Sequence, residues 1–460
     1  MRSFWGRMGS FASKLARLAP VTAAGTSASA GRPRETAAVA TAPADRAAVL
    51  DELRDRIARI VGRAAPVRPK ADPADGELPF AREETELGPR YVRRVRSGPA
   101  ARVGRAPLVA ARFADAAMLA LLALDPKLAG CDPRRALYVD TETTGLAGGT
   151  GTVPFLLGMA FFDEAANAFV LEQVLLRRLG EEAPILALYA ERVRDASALV
   201  TFNGKAFDMP LLRTRFVMNR MAAPAEPPHL DLVHVARRVH GARLKVRTLA
   251  SIEHRVLGRV RVGDVPGGEV VACYAHFLRT GDEGALLGVV EHNAADVLAM
   301  VALVGLYGEP LDGLGAEDLA GAARVVQRAG DLARAAELAE RAVVQGGGAR
   351  AHRARALVAK ARGDKARALV DLEAALAHIE TADAGDGLEE AAPSVRLELA
   401  KLYEHHVKAY ARALEVCAGD TGEIDAAAEK RRARLRQKIE KGARRRGRAQ
   451  TSLPDAEGGG

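Results

Sequence analysis

The chain has 460 residues, of which 48% are hydrophobic, 27% charged and 4% aromatic, and at roughly 150 residues per domain it has room for two or three folded units. Its three cysteines, Cys131, Cys273 and Cys417, lie far apart, which excludes a disulfide framework or a cysteine zinc site within the chain and fits a reducing, cytoplasmic setting. The formal charge of +9 is matched by the stretch from Glu429 to Gln450 alone, with eleven Lys/Arg against two Glu, so a nucleic-acid surface elsewhere has to be a local patch.

Residues 1–75 are dominated by Ala, Arg, Pro, Thr and Ser and are expected to be mostly disordered, apart from a stretch near Ala47–Val61 that could form one amphipathic helix. The basic opening is interrupted by Lys14 and Arg17, against a secretory signal. No apolar run approaches the roughly 20 residues of a membrane span, the most apolar being Ala116–Leu124 between two aspartates, and no membrane partner is expected. From residue 76 a globular mix begins. Strands are predicted at Leu137–Thr141, Val153–Phe162 and Phe169–Leu176, then a helix over Glu181–Arg194, a strand at Ala198–Phe202, a helix over Asp208–Asn219, a short strand at His229–Leu232 and a long helix over Ala285–Leu306. The order βββαβαβα predicts an α/β domain over 76–310, a mixed sheet flanked by helices.

Beyond Glu309 strand signals vanish. Gly330-Asp-Leu-Ala-Arg-Ala335 recurs 33 residues later as Gly363-Asp-Lys-Ala-Arg-Ala368, and Tyr410-Ala-Arg-Ala-Leu414 is a diverged echo after an acidic insert at 383–390. A period near 34 points to an all-α, tetratricopeptide-like helical repeat region over 311–420, and such repeats commonly dock a protein partner. The basic tail, 421–460, is expected to lack structure before binding.

Asp140 and Glu142 end an otherwise apolar strand, and the period of two puts both carboxylates on one face. Like charges side by side are costly to bury unless cations neutralise them. Asp208 starts a predicted helix, where an ordinary cap is an alternative role, and Asp296 lies inside the long helix one turn after His292. Four carboxylates from three elements suit two hard divalent cations, Mg²⁺ or Mn²⁺, which prefer oxygen ligands and together clamp the oxygens of a phosphodiester displacement. His292 is then placed to take a proton from attacking water. Gly148-Gly-Thr-Gly151 lacks a following Lys-Ser/Thr and reads as a loop between strands. His229 and Asp231 are read as structural.

Asp140-Thr-Glu142-Thr-Thr-Gly-Leu, Asn203-Gly-Lys-Ala-Phe-Asp208 and His292-Asn-Ala-Ala-Asp296 resemble the three motifs of the DEDD 3′→5′ exonuclease superfamily on a ribonuclease H-like fold. More specifically, Leu78–Gly308 resembles the YprB-type ribonuclease H-like family, with its pattern in Glu142–Thr152, Leu199–Leu212 and Leu230-Asp-Leu-Val-His234 followed by Arg237-Arg238. The resemblance implies metal-dependent hydrolysis of DNA or RNA from 3′ ends, with Asp140, Glu142, Asp208 and Asp296 binding metal. One departure stands out. The superfamily's third motif places a His separated from the Asp by four residues or a Tyr separated by three, whereas here His292 takes the Tyr-type position and Glu291 the His-type one.

Between Arg237 and Arg261 eight basic residues face one acid, Glu253. Arg237, Arg238, Arg243, Lys245 and Arg247, with Thr143, Asn203 and Lys205 beside the carboxylates, are the expected contacts to a single strand or 3′ end, a solvated helix face being the alternative for the basic run. Function divides between a nuclease and a non-catalytic nucleic-acid-binding adaptor whose repeats recruit proteins.

Overall fold

In the computed structural model, which describes residues 78–145, 151–308, 311, 313–382 and 391–450 with side chains through Arg444, the apolar run starting at Ala136 forms the middle of a seven-stranded sheet. The strands are β1 Ala81–Thr85, β2 Gly88–Ser97, β3 Ala136–Thr143, β4 Pro154–Asp163, β5 Ala168–Leu175, β6 Ala198–Thr201 and β7 His229–Asp231, in the order β1-β2-β5-β4-β3-β6-β7. Antiparallel pairing runs from β1 to β3, and β6 and β7 add in parallel beyond it. Parallel pairing needs crossovers. A helix, α2 (Ala183–Asp195), connects β5 to β6, and α3 (Asp208–Met218) connects β6 to β7.

Alternation along β3 assigns its side chains to two cores. Leu137 and Val139 pack with Leu186 and Tyr189 of α2 and Phe216 of α3, while Tyr138 packs with Val297, Met300 and Val304 of a long helix, Leu287–Tyr307. Asp140 and Glu142 share the parity of Tyr138, so the carboxylates meet that long helix.

The sequence reading omits the β1–β2 hairpin because its exposed faces are charged rather than alternating. Its arginines are nevertheless placed: Arg94 donates to the buried Glu172 of β5 at 2.6 Å, and Arg192 of α2 to the same carboxylate at 2.7 Å. Other helices missed in the reading are α1 (Ala116–Ala123), α4 (Leu232–Val239) and α5 (Gly267–Thr280); the long helix is α6. By length and composition alone the helical stretch Glu283–Tyr307 is apolar enough to cross a membrane, which corrects the expectation that no stretch approaches the length of a span. Its most apolar window is 67% buried, because the sheet and a helical layer cover it.

That layer comprises α7 (Ala316–Ala329), α8 (Leu332–Val344), α9 (Gly348–Ala361), α10 (Lys365–Glu380), α11 (Ala392–Leu402) and α12 (Tyr410–Val416). The 33-residue recurrence is one turn used twice: Gly330 and Gly363 adopt φ of 98° and 85°, and Asp331 and Asp364 cap α8 and α10 through the amides of Arg334 and Arg367. The basic segment differs from its expectation. It forms a helix, α13 (Asp425–Gln450), and Glu404, buried and accepting from Arg431, Arg434 and Lys438, gathers three of its cations and is itself pulled down to about 2, chiefly by Arg434. The predicted disorder of 1–75, the helix near Ala47–Val61 and the acidic insert lie outside the described residues.

The described residues form one compact unit. Leu319, Ala323 and Val326 of α7 share a core with Leu122 of α1 and with Val235 and Val239 of α4. A polar chain crosses the same junction, from Tyr307 to His240 at 2.8 Å, His240 to Asp318 at 2.8 Å, and Arg243 to Asp318 at 2.7 Å. A chain ending at residue 310 leaves this apolar face and the His240 imidazole uncovered. It is expected to lose cooperative thermal unfolding by circular dichroism; a sharp transition in the shortened chain would show that the helical layer is dispensable to the fold.

Candidate active site

Asp140 and Glu142 come from the end of β3, Asp208 from the first turn of α3, and His292, Asn293 and Asp296 from one side of α6. Thr141 donates to Asp208 at 2.5 Å, linking β3 to α3. Asn293 Nδ2 donates to Asp140 Oδ2 at 2.8 Å, and its Oδ1 accepts from Gln173 Nε2 at 2.9 Å. This bridge crosses three strands, because Asp140 pairs with Gly158 and Gly158 with Gln173. A Cβ on Gly158 would meet Asn293 Oδ1 at 2.1 Å, so only glycine admits the amide there.

His292 Nδ1 lies 2.6 Å from Asp264 Oδ1, while Nε2 faces Asp296 at 3.6 Å and Glu142 at 3.9 Å. Glu291 points elsewhere, to Arg93 of β2 at 2.8 Å. Of the two residues competing for the third-motif position, His292 therefore faces the carboxylates. Arg261 bonds both Asp296 and the fully buried Glu253, so this member of the basic run serves the site rather than a solvated face.

Burial raises Asp140 well above the ordinary carboxylate range, and Asp296, Asp208 and Glu142 add repulsion. Burial likewise takes Glu142 to about 7 against the pull of His292, and Asp208 to about 6 against the hydrogen bond from Thr141. Burial opposes a charge on His292, but Asp296, Asp264 and Glu142 outweigh it and its pKa is raised. Three carboxylates that resist ionisation together form a site short of positive charge.

A cavity of about 520 Å³ opens beside Asp140 and Asp208, lined also by Thr143, Thr152, Asn203 and Phe207. Phe207 is 59% exposed, an unusual state for a large apolar ring and suited to stacking. Thr143 donates to the Gly145 carbonyl, Asn203 takes the left-handed conformation that turns the chain into α3, and Lys205 is exposed on that turn. Asp231 holds the turn through the amides of Asn203 and Lys205 and caps α4. His229 bonds Thr201 at 2.8 Å and is lowered to about 4 by burial. Residues 146–150, most of the glycine-rich loop, lie outside the described residues.

The other expected strand contacts separate. Arg243 is bound to Asp318, Arg247 to the carbonyls of Gly241 and Leu244, and Arg238 to those of Leu122 and Ala123, while Arg237 and Lys245 are exposed. The reading from sequence missed Asp264, Asn293, Gln173 and Gly158. Asn293 inside a helix and Gln173 inside an apolar strand were its available signals, since neither residue type belongs there unless it is bonded. Asp264 carried none.

A mixed sheet with two carboxylates on its central strand and a third and fourth brought by helices defines a ribonuclease H-like domain, and residues 137–307 match the family model described as the RNase H superfamily. Over 176 residues the chain is 38% identical to YprB, an uncharacterized protein of Bacillus subtilis (strain 168), and the match covers 38% of this chain and 42% of that protein. Over the matched region the chain is similar to ribonuclease H-like proteins of the YprB type. The chain thus covers less than half the length of this relative.

Raised carboxyl groups give the metal-free protein a pH signature. A group whose pKa is higher folded than unfolded adds stability below its unfolded value of about 4, and that contribution is lost as pH rises through the folded value. In chelator, Asp140→Asn is expected to match wild type in Tm near pH 4 and to exceed it by roughly 2–4 °C at pH 8, given about 1 kcal/mol of relieved repulsion. An equal Tm difference at both pH values would place Asp140 outside a carboxylate cluster.

Proposed function

We propose that the domain is a metal-dependent nuclease acting as a 3′→5′ exonuclease on single strands or 3′ ends of DNA or RNA. The observation that carries this reading is the convergence of Asp140, Glu142, Asp208 and Asp296 with a histidine whose far nitrogen is held by Asp264. Among the described residues no three acidic or imidazole side chains are arranged as a ready cation cage. Thr141, Asn293 and Arg261 each occupy a carboxylate oxygen. The donor set itself fits hard cations, because it is all oxygen and repels itself when ionised. Asp140, Glu142, Asp208 and Asp296 would hold two Mg²⁺ or Mn²⁺ ions, which supply charge to the attacking and leaving oxygens of a phosphodiester.

The protein's own groups account for the rest. His292 Nε2 takes the proton of water as its oxygen attacks phosphorus, and the bond from phosphorus to the leaving 3′-oxygen breaks. Asp264 orients the ring and stabilises the charge it acquires, as a carboxylate behind a catalytic imidazole does generally. Arg261 compensates Asp296 while cations are absent, and it has to release one oxygen when they bind. Thr143 and Phe207 line the space for the terminal nucleotide.

The test uses single-stranded DNA and RNA labelled separately at the 5′ and 3′ ends, with Mg²⁺, Mn²⁺ or chelator. Stepwise shortening of the 5′-labelled strand with metal, none with chelator, and loss of activity in Asp140→Ala and Asp296→Ala are expected. Asp264→Asn is expected to lower kcat about tenfold or more at unchanged KM. Binding without cleavage under every metal condition would favour the adaptor reading, and wild-type cleavage by both alanine variants would reject the site.

A further inference from the structure

A cavity near the helical layer is lined by seven arginines and one carboxylate. It measures about 530 Å³ and lies between α4, α7 and α9, with Arg237 and Arg238 on one wall, Arg324 and Arg328 on a second, and Arg353 on a third. Its carboxylate, Glu317, is bonded to Arg350. Arg324 and Arg328 stand one turn apart on α7, and Ala320 and Gly321, one turn earlier, leave the floor small. A Cβ on Gly321 would meet the Val239 carbonyl at 1.9 Å, so this glycine lets α7 close onto the end of α4 and sets the arginine rows opposite each other.

Arg237, Arg324 and Arg328 are exposed at the cavity, whereas Arg353 and Arg238 are partly buried. Burial and the neighbouring Arg324 both work against the charge on Arg353, and burial and Arg328 do so on Arg238. Arg353 donates to the Ser394 hydroxyl, and Arg238 to main-chain carbonyls, all neutral partners. Like charges crowded around a concave floor gain most from an anion with several negative groups, and the planar guanidinium fork matches phosphate.

The cavity connects to the carboxylate cleft through one helix. Asp231, at the start of α4, fixes the loop that leads to Asp208, and Arg237 and Arg238 occupy the last turn of α4. Eight residues at 1.5 Å make this helix roughly 12 Å long. A strand rising about 3.4 Å per nucleotide covers that length in three or four nucleotides.

We infer that this arginine-lined cavity is a second nucleic-acid site, holding the sugar-phosphate backbone of a strand whose end lies at the carboxylates. The helical layer then contributes substrate contacts from Arg324, Arg328 and Arg353 in addition to any protein docking. The direction of the strand rests on the nuclease reading, while its binding in the cavity does not. With few aromatic groups on the cavity walls, recognition follows charge and not base identity.

The test is fluorescence anisotropy of the full chain with a labelled 20-nucleotide single strand, in chelator so that hydrolysis plays no part. Arg324→Ala with Arg328→Ala is expected to weaken binding at least tenfold and to lessen the log–log salt slope by about 1.4, two contacts at 0.7 each. Replacing both by Lys is expected to restore affinity to within about threefold. Unchanged affinity and slope in an alanine variant with wild-type circular dichroism would overturn the assignment. So would a cavity specific for a small anion, seen as inorganic triphosphate raising the Tm of wild type and not of the variant while both bind the 20-mer alike. A protein that fails to hydrolyse any strand but shows the predicted slope change would retain this site and lose only the nuclease reading.

Discussion

The hydrogen bond from Asn293 to Asp140 across Gly158 is the contact on which the arrangement depends. It registers α6 on the sheet at the position where β3 presents its first carboxylate, and Gln173 on the next strand fixes the amide from behind. Once that residue of α6 is set, helical geometry places His292 beside Glu142 and brings Asp296 one turn further on the same face. The remaining carboxylate arrives independently, through Thr141 and the tight turn held by Asp231. Sheet, long helix and turn are thus tied to one another through polar groups at the site itself.

That construction has an electrostatic cost, met locally by cationic or neutral donors. Asn293 and Thr141 bond Asp140 and Asp208, and Arg261 bonds Asp296 with Glu253 holding the guanidinium from the other side. Glu172 and Asp318 show the contrasting solution used for structural acids. Each is buried, but Arg192 and Arg94 for Glu172, and His240 and Arg243 for Asp318, hold its pKa below the ordinary value despite burial. In the cleft three buried carboxylates remain raised, and burial raises Glu253 behind Arg261 as well, so the deficit of positive charge gathers at and around the candidate active site.

Much of this was legible from residues alone. The buried strands and the long helix were visible because their apolar periods are strong, and the four carboxylates because acids interrupt those periods. The hairpin of β1 and β2 was not, since charges such as Arg90, Arg93 and Arg94 on β2 hide its alternation. A run of basic residues also says nothing of direction: Arg261 turns inward to the site, Arg243 braces the helical layer, and Arg237 lines a cavity. The Arg237 cavity joins residues more than 80 positions apart and has no linear signature. Asp264 is hidden for the same reason, being brought to His292 by the loop before α5.

The central claim is that the four carboxylates act together as a cation site. Its most direct measurement is calorimetric titration of Mn²⁺ into metal-free protein near pH 6.5, in buffers of differing ionisation enthalpy. Glu142 at about 7 is largely protonated there and Asp208 at about 6 only in part, so saturable binding is predicted to release protons and its heat to depend on the buffer. The paired variant Asp140→Asn, Asp296→Asn is predicted to abolish it. Saturable binding of equal affinity in that variant, or none in the wild type, would contradict the account.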